Sequence, residues 1–195
     1  FVTSGLSKWA GAGGWRLGIA ILPEDYDSQL KYTMLGIASE TYSCASTPIQ
    51  YAAITAYSHN LMMSQYVHNQ RTILKAIGLY IHKAVINAGL HAHAPEGGFY
   101  LLLDFTAYRQ PLEAIGLITD SEICSKVLED VGVALLPGIS FGLSPKALCA
   151  RLAYVDFDGT LALQDISKNE WSETLTIKHA QKMLEGIENL GRYLK

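Results

Sequence analysis

Cysteine is scarce and unpatterned in this chain. Cys44, Cys124 and Cys149 are odd in number and far apart, with no C-x-x-C. That spacing argues against a disulfide framework or a zinc ribbon and points to buried thiols in a reducing, cytoplasmic setting. Long apolar runs are missing too: residues 17–22 are among the longest, against the roughly 20 residues that cross a bilayer, so no membrane span is expected. Positive charge is not in excess, with 15 Lys and Arg against 18 Asp and Glu and a formal charge of -3. No basic field therefore draws the chain to nucleic acid or to an anionic membrane. Apolar side chains are plentiful, at 49% of residues against 17% charged, enough to enclose a sizeable core around a small-molecule site. The chain opens on Phe1 with no signal-like stretch ahead of its first motif, which reads as a cut end.

A glycine-rich opening around Lys8 leads into residues 17–22, closed by Pro23, which read as a buried strand. Helical spacing predicts helices over 24–42 and 48–57, with Thr47-Pro48 supplying a cap and a proline at the first helical position. Over 61–88, Ile73, Leu74, Ile77, Tyr80, Ile81 and Val85 recur at three and four, and Gly89 stands where a glycine cap belongs. That is one helix long enough to join two lobes. Strands are expected at 99–105, 133–136 and 148–155. Between the first two of these, Thr119 and Glu122 form a capping box for a helix through Val131 that stops at Gly132. A last helix, about 173–194, sets Leu175, Ile177, Met183, Leu184, Ile187 and Leu190 largely on one face. The fold class expected is α/β, with residues 1–58 a remnant of a larger α/β domain and 59–195 a long connecting helix with a complete α+β small domain.

The chemistry concentrates in Gly5-Leu6-Ser7-Lys8-Trp9-Ala10-Gly11-Ala12-Gly13-Gly14-Trp15-Arg16-Leu17-Gly18. Glycines admit close approach of backbone to a ligand, and a hydroxyl, a lysine and an arginine together can hold a phosphate and an aldehyde. Taken alone, such a loop is equally compatible with a solvated surface segment. Trp9 and Trp15 could stack on a ligand, but in a buried glycine-rich segment they more often fill core.

The whole string resembles the pyridoxal-phosphate attachment signature of the class I and II aminotransferases of fold type I. The resemblance implies that Lys8 forms the Schiff base with the cofactor aldehyde and that Arg16 binds the phosphate. A serine commonly found three residues before that lysine is Gly5 here, with Ser4 and Ser7 nearby as hydroxyl donors. Residues 46–53 look like the family's segment opening the helix after the lysine strand, where neighbouring subunits meet. Residues 95–100 resemble the strand that begins the small domain, and residues 132–142 its strand and Pro-Gly loop. Cys149-Ala150-Arg151-Leu152-Ala153-Tyr154 is similar to the substrate-arginine strand, so Arg151 would hold the α-carboxylate of an amino acid. An arginine suits that task because its planar fork grips a carboxylate through two bonds and keeps its charge.

The implied protein is a homodimeric, pyridoxal-phosphate-dependent aminotransferase moving an amino group between an amino acid and a 2-oxo acid. The family's pyridine-nitrogen aspartate and stacking aromatic precede the lysine, so this chain is expected to be the C-terminal half and inert alone. A non-catalytic interaction domain is the alternative. A second alternative comes from Asp156-Phe157-Asp158-Gly159-Thr160-Leu161, which reads like the first motif of haloacid-dehalogenase-type phosphohydrolases, with Asp156 as nucleophile and Asp158 as acid/base. That motif needs later strand-end partners that residues 161–195 do not supply, and a solvated turn is the plainer expectation. His91 and His93 could face one side of a strand as metal ligands but lack a third ligand at useful spacing.

Overall fold

The computed structural model describes residues 1–58 and 60–195. The chain divides into two compact units, Phe1–His68 and Asn69–Lys195. The division falls within the long helix; residue 59, where the sequence boundary was drawn, lies outside the described residues.

In the first unit, β1 (Val2–Gly5) runs into the one-turn helix α1 (Leu6–Trp9), and β2 (Gly18–Ile21) returns antiparallel to β1. Ser4 faces Ile19 across the pair and Gly5 faces Gly18. Two glycines meet there because the backbones are close: a Cβ on Gly5 would stand 3.3 Å from the Leu17 carbonyl oxygen. Helix α2 (Ser28–Thr41) starts later than the spacing suggested, because Asp27 accepts the Gln29 amide and fixes the first turn. Helix α3 (Thr47–Tyr57) takes Ser46 as its N-cap, one residue before the expected cap, so Pro48 falls second in the helix. Leu6, Ala10, Leu17 and Ala53 form a small core, with Trp9, Ile19 and Ile49 packed against it.

Two expectations for this unit are corrected. The strand expected at 17–22 is shorter, Gly18–Ile21, and mostly exposed: among the described residues β1 alone pairs with it, and within it Ile19 is the residue that packs against the core, while Leu17 is buried just ahead of it. Trp15 is 52% exposed, not a core filler. Helix α2 buries none of its residues, leaving Leu30, Tyr32, Met34, Leu35 and Ile37 exposed.

Helix α4 (Leu61–Asn87) presents Ile73, Ile77, Ile81 and Val85 to the core of the second unit, and Gly89 adopts φ +94° just beyond it. β3 (Tyr100–Asp104) pairs antiparallel with the central strand β5 (Cys149–Ala153), which also pairs with the two-residue β4 (Leu136–Pro137), in the order β3-β5-β4. Period-two alternation turns Leu101, Leu103, Ala150 and Leu152 inward and leaves Tyr100, Leu102 and Arg151 on the other face. β4 is shorter than the strand expected at 133–136 and overlaps it only at Leu136.

The short helix α5 (Arg109–Ala114) follows β3. Helix α6 (Asp120–Val131) has the capping box of Thr119 and Glu122, and Gly132 ends it at φ +72°. Its polar bonds hold the Glu122 carboxyl below its usual range, the Thr119 hydroxyl contributing most.

Helix α7 (Gly159–Lys168) was not expected, and α8 (Glu173–Tyr193) closes the chain. Of the face drawn on α8, Ile187 and Leu190 are buried, while Ile177 is 45% exposed and Thr176, His179 and Ala180 turn inward instead. The cysteines are unpaired, as their spacing implied, but Cys44 is exposed, Cys124 buried and Cys149 half-buried. Among the described residues no helix is long and apolar enough to cross a membrane.

Candidate active site

The lysine lies on α1, between Gly5 at the end of β1 and the turn that follows. Gly11 adopts φ +62° and donates its amide to the Lys8 carbonyl at 3.2 Å, while the Ala12 amide reaches the Leu6 carbonyl at 3.1 Å. Leu6 is buried beside an exposed Lys8, so the helix is pinned by its apolar side. Arg16 sits at φ 55° and ψ 48°, the left-handed region, and its Nη1 donates to the Gly13 carbonyl at 2.8 Å. A non-glycine residue held there costs roughly 1 kcal/mol or more, a strain found where a side chain must be aimed.

Ser4 and Ser7 bracket Gly5 and Leu6. The Tyr57 hydroxyl lies 3.3 Å from Ser4 Oγ, and the Tyr57 and Trp9 rings meet edge to face at 5.4 Å. Thus α3 supports β1 and α1 from one side, a contact that no local motif disclosed. The Tyr66 hydroxyl donates to the Ala10 carbonyl at 2.9 Å and holds the end of α1 as well. Ser4, Ser7, Lys8 and Arg16 all lie in the first unit; Arg151 lies in the second.

Arg151 stands in the middle of β5, half-buried, opposite Leu102 of β3 and Leu136 of β4. Its guanidinium carbon is 4.1 Å from the centre of the Tyr100 ring and 4.6 Å from that of Phe141. Phe141 belongs to the 3-10 turn Gly138–Phe141 that follows β4. Among the described residues no carboxylate pairs with Arg151. A guanidinium bedded on rings, its donors unclaimed by an acid, is prepared to take a planar anion. Neither aromatic had been singled out from the sequence; the register rule that puts residues i and j±2 within reach could have found Tyr100 once the strands were paired.

Burial pushes the thiol of Cys149, two residues before Arg151, above its ordinary value, with Asp104 and then Asp120 adding to it. Asp156 and Asp158 are engaged otherwise than in a phosphohydrolase. Asp158 Oδ1 accepts the amides of Thr160 at 2.9 Å and Leu161 at 3.0 Å and caps α7, and Asp156 pairs with Lys182 at 2.8 Å. The His91 and His93 rings are exposed and 5.8 Å apart, and no group of three metal-ligating side chains occurs among the described residues.

The family model for aminotransferase class I and II matches residues 1–156, a stretch containing both Lys8 and Arg151. The chain is 32% identical over 158 residues to an asparagine–oxo-acid transaminase of Streptococcus mutans, covering 78% of this chain and 36% of that protein. Against an aspartate aminotransferase of Geobacillus stearothermophilus it is 32% identical over 154 residues, with the same coverages of 78% and 36%. The fold resembles the crystal structure of an aromatic aminotransferase from Pyrococcus horikoshii with a TM-score of 0.70 at 22% identity, over 98% of this chain and 42% of that one. The chain thus spans little more than a third of the length of the relatives it matches.

Proposed function

The chain belongs to the class I and II aminotransferase family, and from that premise we propose that it supplies the lysine and the substrate arginine for transfer of an amino group between an amino acid and a 2-oxo acid. The family's cofactor is pyridoxal phosphate, and the donor set on the glycine-rich segment fits it: an exposed lysine, an arginine on a strained left-handed backbone, and two serine hydroxyls. When bound, that cofactor supplies a conjugated electron sink for the electrons of the Cα–H bond. Arg16, with Ser4 or Ser7, would hold its phosphate, and Lys8 Nζ would hold its aldehyde end. Lys8 Nζ, as an amine beside the bound amino acid, would be the base that takes its Cα proton. Arg151 grips the α-carboxylate through two parallel N–H bonds and so orients the Cα–H bond for that transfer.

The observation that carries this proposal is Arg151, half-buried on the open face of a three-stranded sheet, bedded on Tyr100 and Phe141 and paired with no acid among the described residues. Homodimerisation and a cytoplasmic location belong to the same proposal. The exposed apolar residues of α2 support a covered surface, and three unpaired thiols support a reducing compartment. The test is an amino-group transfer assay on the full-length protein over a panel of amino and 2-oxo acids. Turnover that disappears in Lys8→Ala, with folding retained, supports the assignment; turnover that survives the substitution overturns it.

A further inference from the structure

We propose that Asp120 is a positioning residue: its buried carboxylate holds the Gly138–Phe141 turn and so keeps the Phe141 ring against Arg151. The proposal rests on Arg151 being the carboxylate-binding arginine described above.

Asp120 is 1% exposed, one of the few buried polar side chains among the described residues. A buried carboxylate is costly unless its oxygens are bonded, and an apolar residue of similar size would serve packing alone at least as well. Nor is the acid needed to start α6, because Thr119 and Glu122 already cap that helix. Its Oδ2 instead accepts the amide of Ile139 at 2.9 Å, a residue 19 positions on in the turn after β4. The Ser121 hydroxyl lies 3.4 Å from Oδ1, and the amino-terminal end of α6 favours the negative charge.

The turn is clamped on both sides. A Cβ on Gly138 would stand 3.0 Å from the Cys149 carbonyl oxygen and 3.2 Å from Asp120 Oδ2, so Gly138 is pressed between β5 and the carboxylate. Pro137 pairs with Ala150 just before it. The Gly142 amide closes the turn on the Ile139 carbonyl at 3.1 Å, with Gly142 at φ +81°. Among the described residues, Asp120 is therefore the buried side chain that anchors the segment carrying Phe141, and the Phe141 ring meets the Arg151 guanidinium at 4.6 Å. Holding that long side chain in one orientation before substrate arrives removes part of the ordering cost of binding.

Two measurements test this. In the labelled 195-residue chain, the Arg151 Nε–H resonance, assigned by its loss in Arg151→Lys, is displaced by the ring currents of Tyr100 and Phe141. Asp120→Asn, which keeps an acceptor, retains the displacement; Asp120→Ala loses part of it, as Phe141→Leu does. In the full-length protein, Asp120→Ala raises KM for the amino acid about 5- to 10-fold, the scale of one lost hydrogen bond, with kcat held, and Asp120→Asn restores it. An Arg151 resonance unmoved in folded Asp120→Ala overturns the proposal. Should that variant not fold, hydrogen exchange of the Ile139 amide in the unaltered chain decides: protection supports the bond, exchange at open-loop rates overturns it. If Arg151→Lys leaves KM unchanged while the resonance still follows Asp120, the carboxylate assignment of Arg151 falls and the positioning of Phe141 stands.

Discussion

The Arg151 guanidinium carbon lies 4.1 Å from the centre of the Tyr100 ring, on the face of the sheet turned away from the core. Their strands make this diagonal contact: Arg151 is opposite Leu102, and Tyr100 is the next residue of β3 on that same face. Replacing Arg151 by Lys substitutes a point charge for a planar fork. The expected result in the full-length protein is a KM for amino acid raised roughly 10- to 100-fold with cofactor binding intact, corresponding to a lost charge-assisted bond. Tyr100→Leu removes a cation–π contact of about 0.5–2 kcal/mol and should weaken amino-acid binding by a smaller factor. Steady-state kinetics with a parallel cofactor titration checks both, and an unchanged KM in Arg151→Lys would remove Arg151 from the site.

Lys8 is exposed on a helix of one turn whose other side is anchored by buried Leu6. Borohydride reduction of the full-length protein after incubation with pyridoxal phosphate should leave a phosphopyridoxyl mass increment on the peptide containing Lys8. The same treatment of Lys8→Ala should leave none at comparable stoichiometry. Peptide mapping that places the increment on another lysine would sink the assignment.

Features written in local chemistry were legible from the sequence. The Thr119–Glu122 box, the left-handed Gly132 and the apolar stripe of α4 need only neighbours three or four residues apart. Burial of β2 was not legible, because it depends on what packs against a strand, and here β1 alone pairs with it. Nor was the bed under Arg151, since Tyr100 reaches it through strand register and Phe141 through a turn held by Asp120. Helix α7 was hidden for another reason: an aspartate followed by Gly-Thr-Leu serves a nucleophile loop and an N-cap equally well, and Asp158 caps.

In the last two helices, Asp165 Oδ2 takes Lys178 Nζ at 2.7 Å and His179 Nε2 at 2.8 Å, while the Trp171 ring stacks on His179. Lys178 first and then His179 hold the Asp165 carboxyl below its ordinary range. A carboxyl whose folded pKa is depressed contributes stability that is fully present above its unfolded pKa, about 3.9, and is lost as pH falls through the folded value. Docking of α7 on α8 should therefore weaken below about pH 4, and Asp165→Asn should flatten that part of the stability curve. Chemical denaturation from pH 3 to pH 7, followed by Trp171 fluorescence, checks the sign; identical slopes in both proteins would exclude Asp165 as the source.

Two glycines on α8 should respond in opposite ways to the same substitution. Gly191 is buried where α8 crosses the end of α4, and a Cβ there would stand 2.7 Å from the Ala88 Cβ and 3.1 Å from the Ala88 Cα and carbonyl oxygen. Those partners are backbone or one bond from it, so neither can swing aside. Gly191→Ala should force the helices apart and cost about 1–3 kcal/mol, more than the roughly 1 kcal/mol that alanine gains over glycine inside a helix. At Gly186 the nearest atom to an added Cβ is Val133 Cγ2 at 3.4 Å, an ordinary contact with a side chain that can adjust. There the helix preference decides, and Gly186→Ala should be neutral or stabilising by up to about 1 kcal/mol. Thermal melts of the two variants beside the unaltered chain provide the measurement, with Gly186→Ala controlling for any general effect of alanine in α8. Equal midpoints for both variants would mean that α8 does not approach Ala88 as closely as the structure shows.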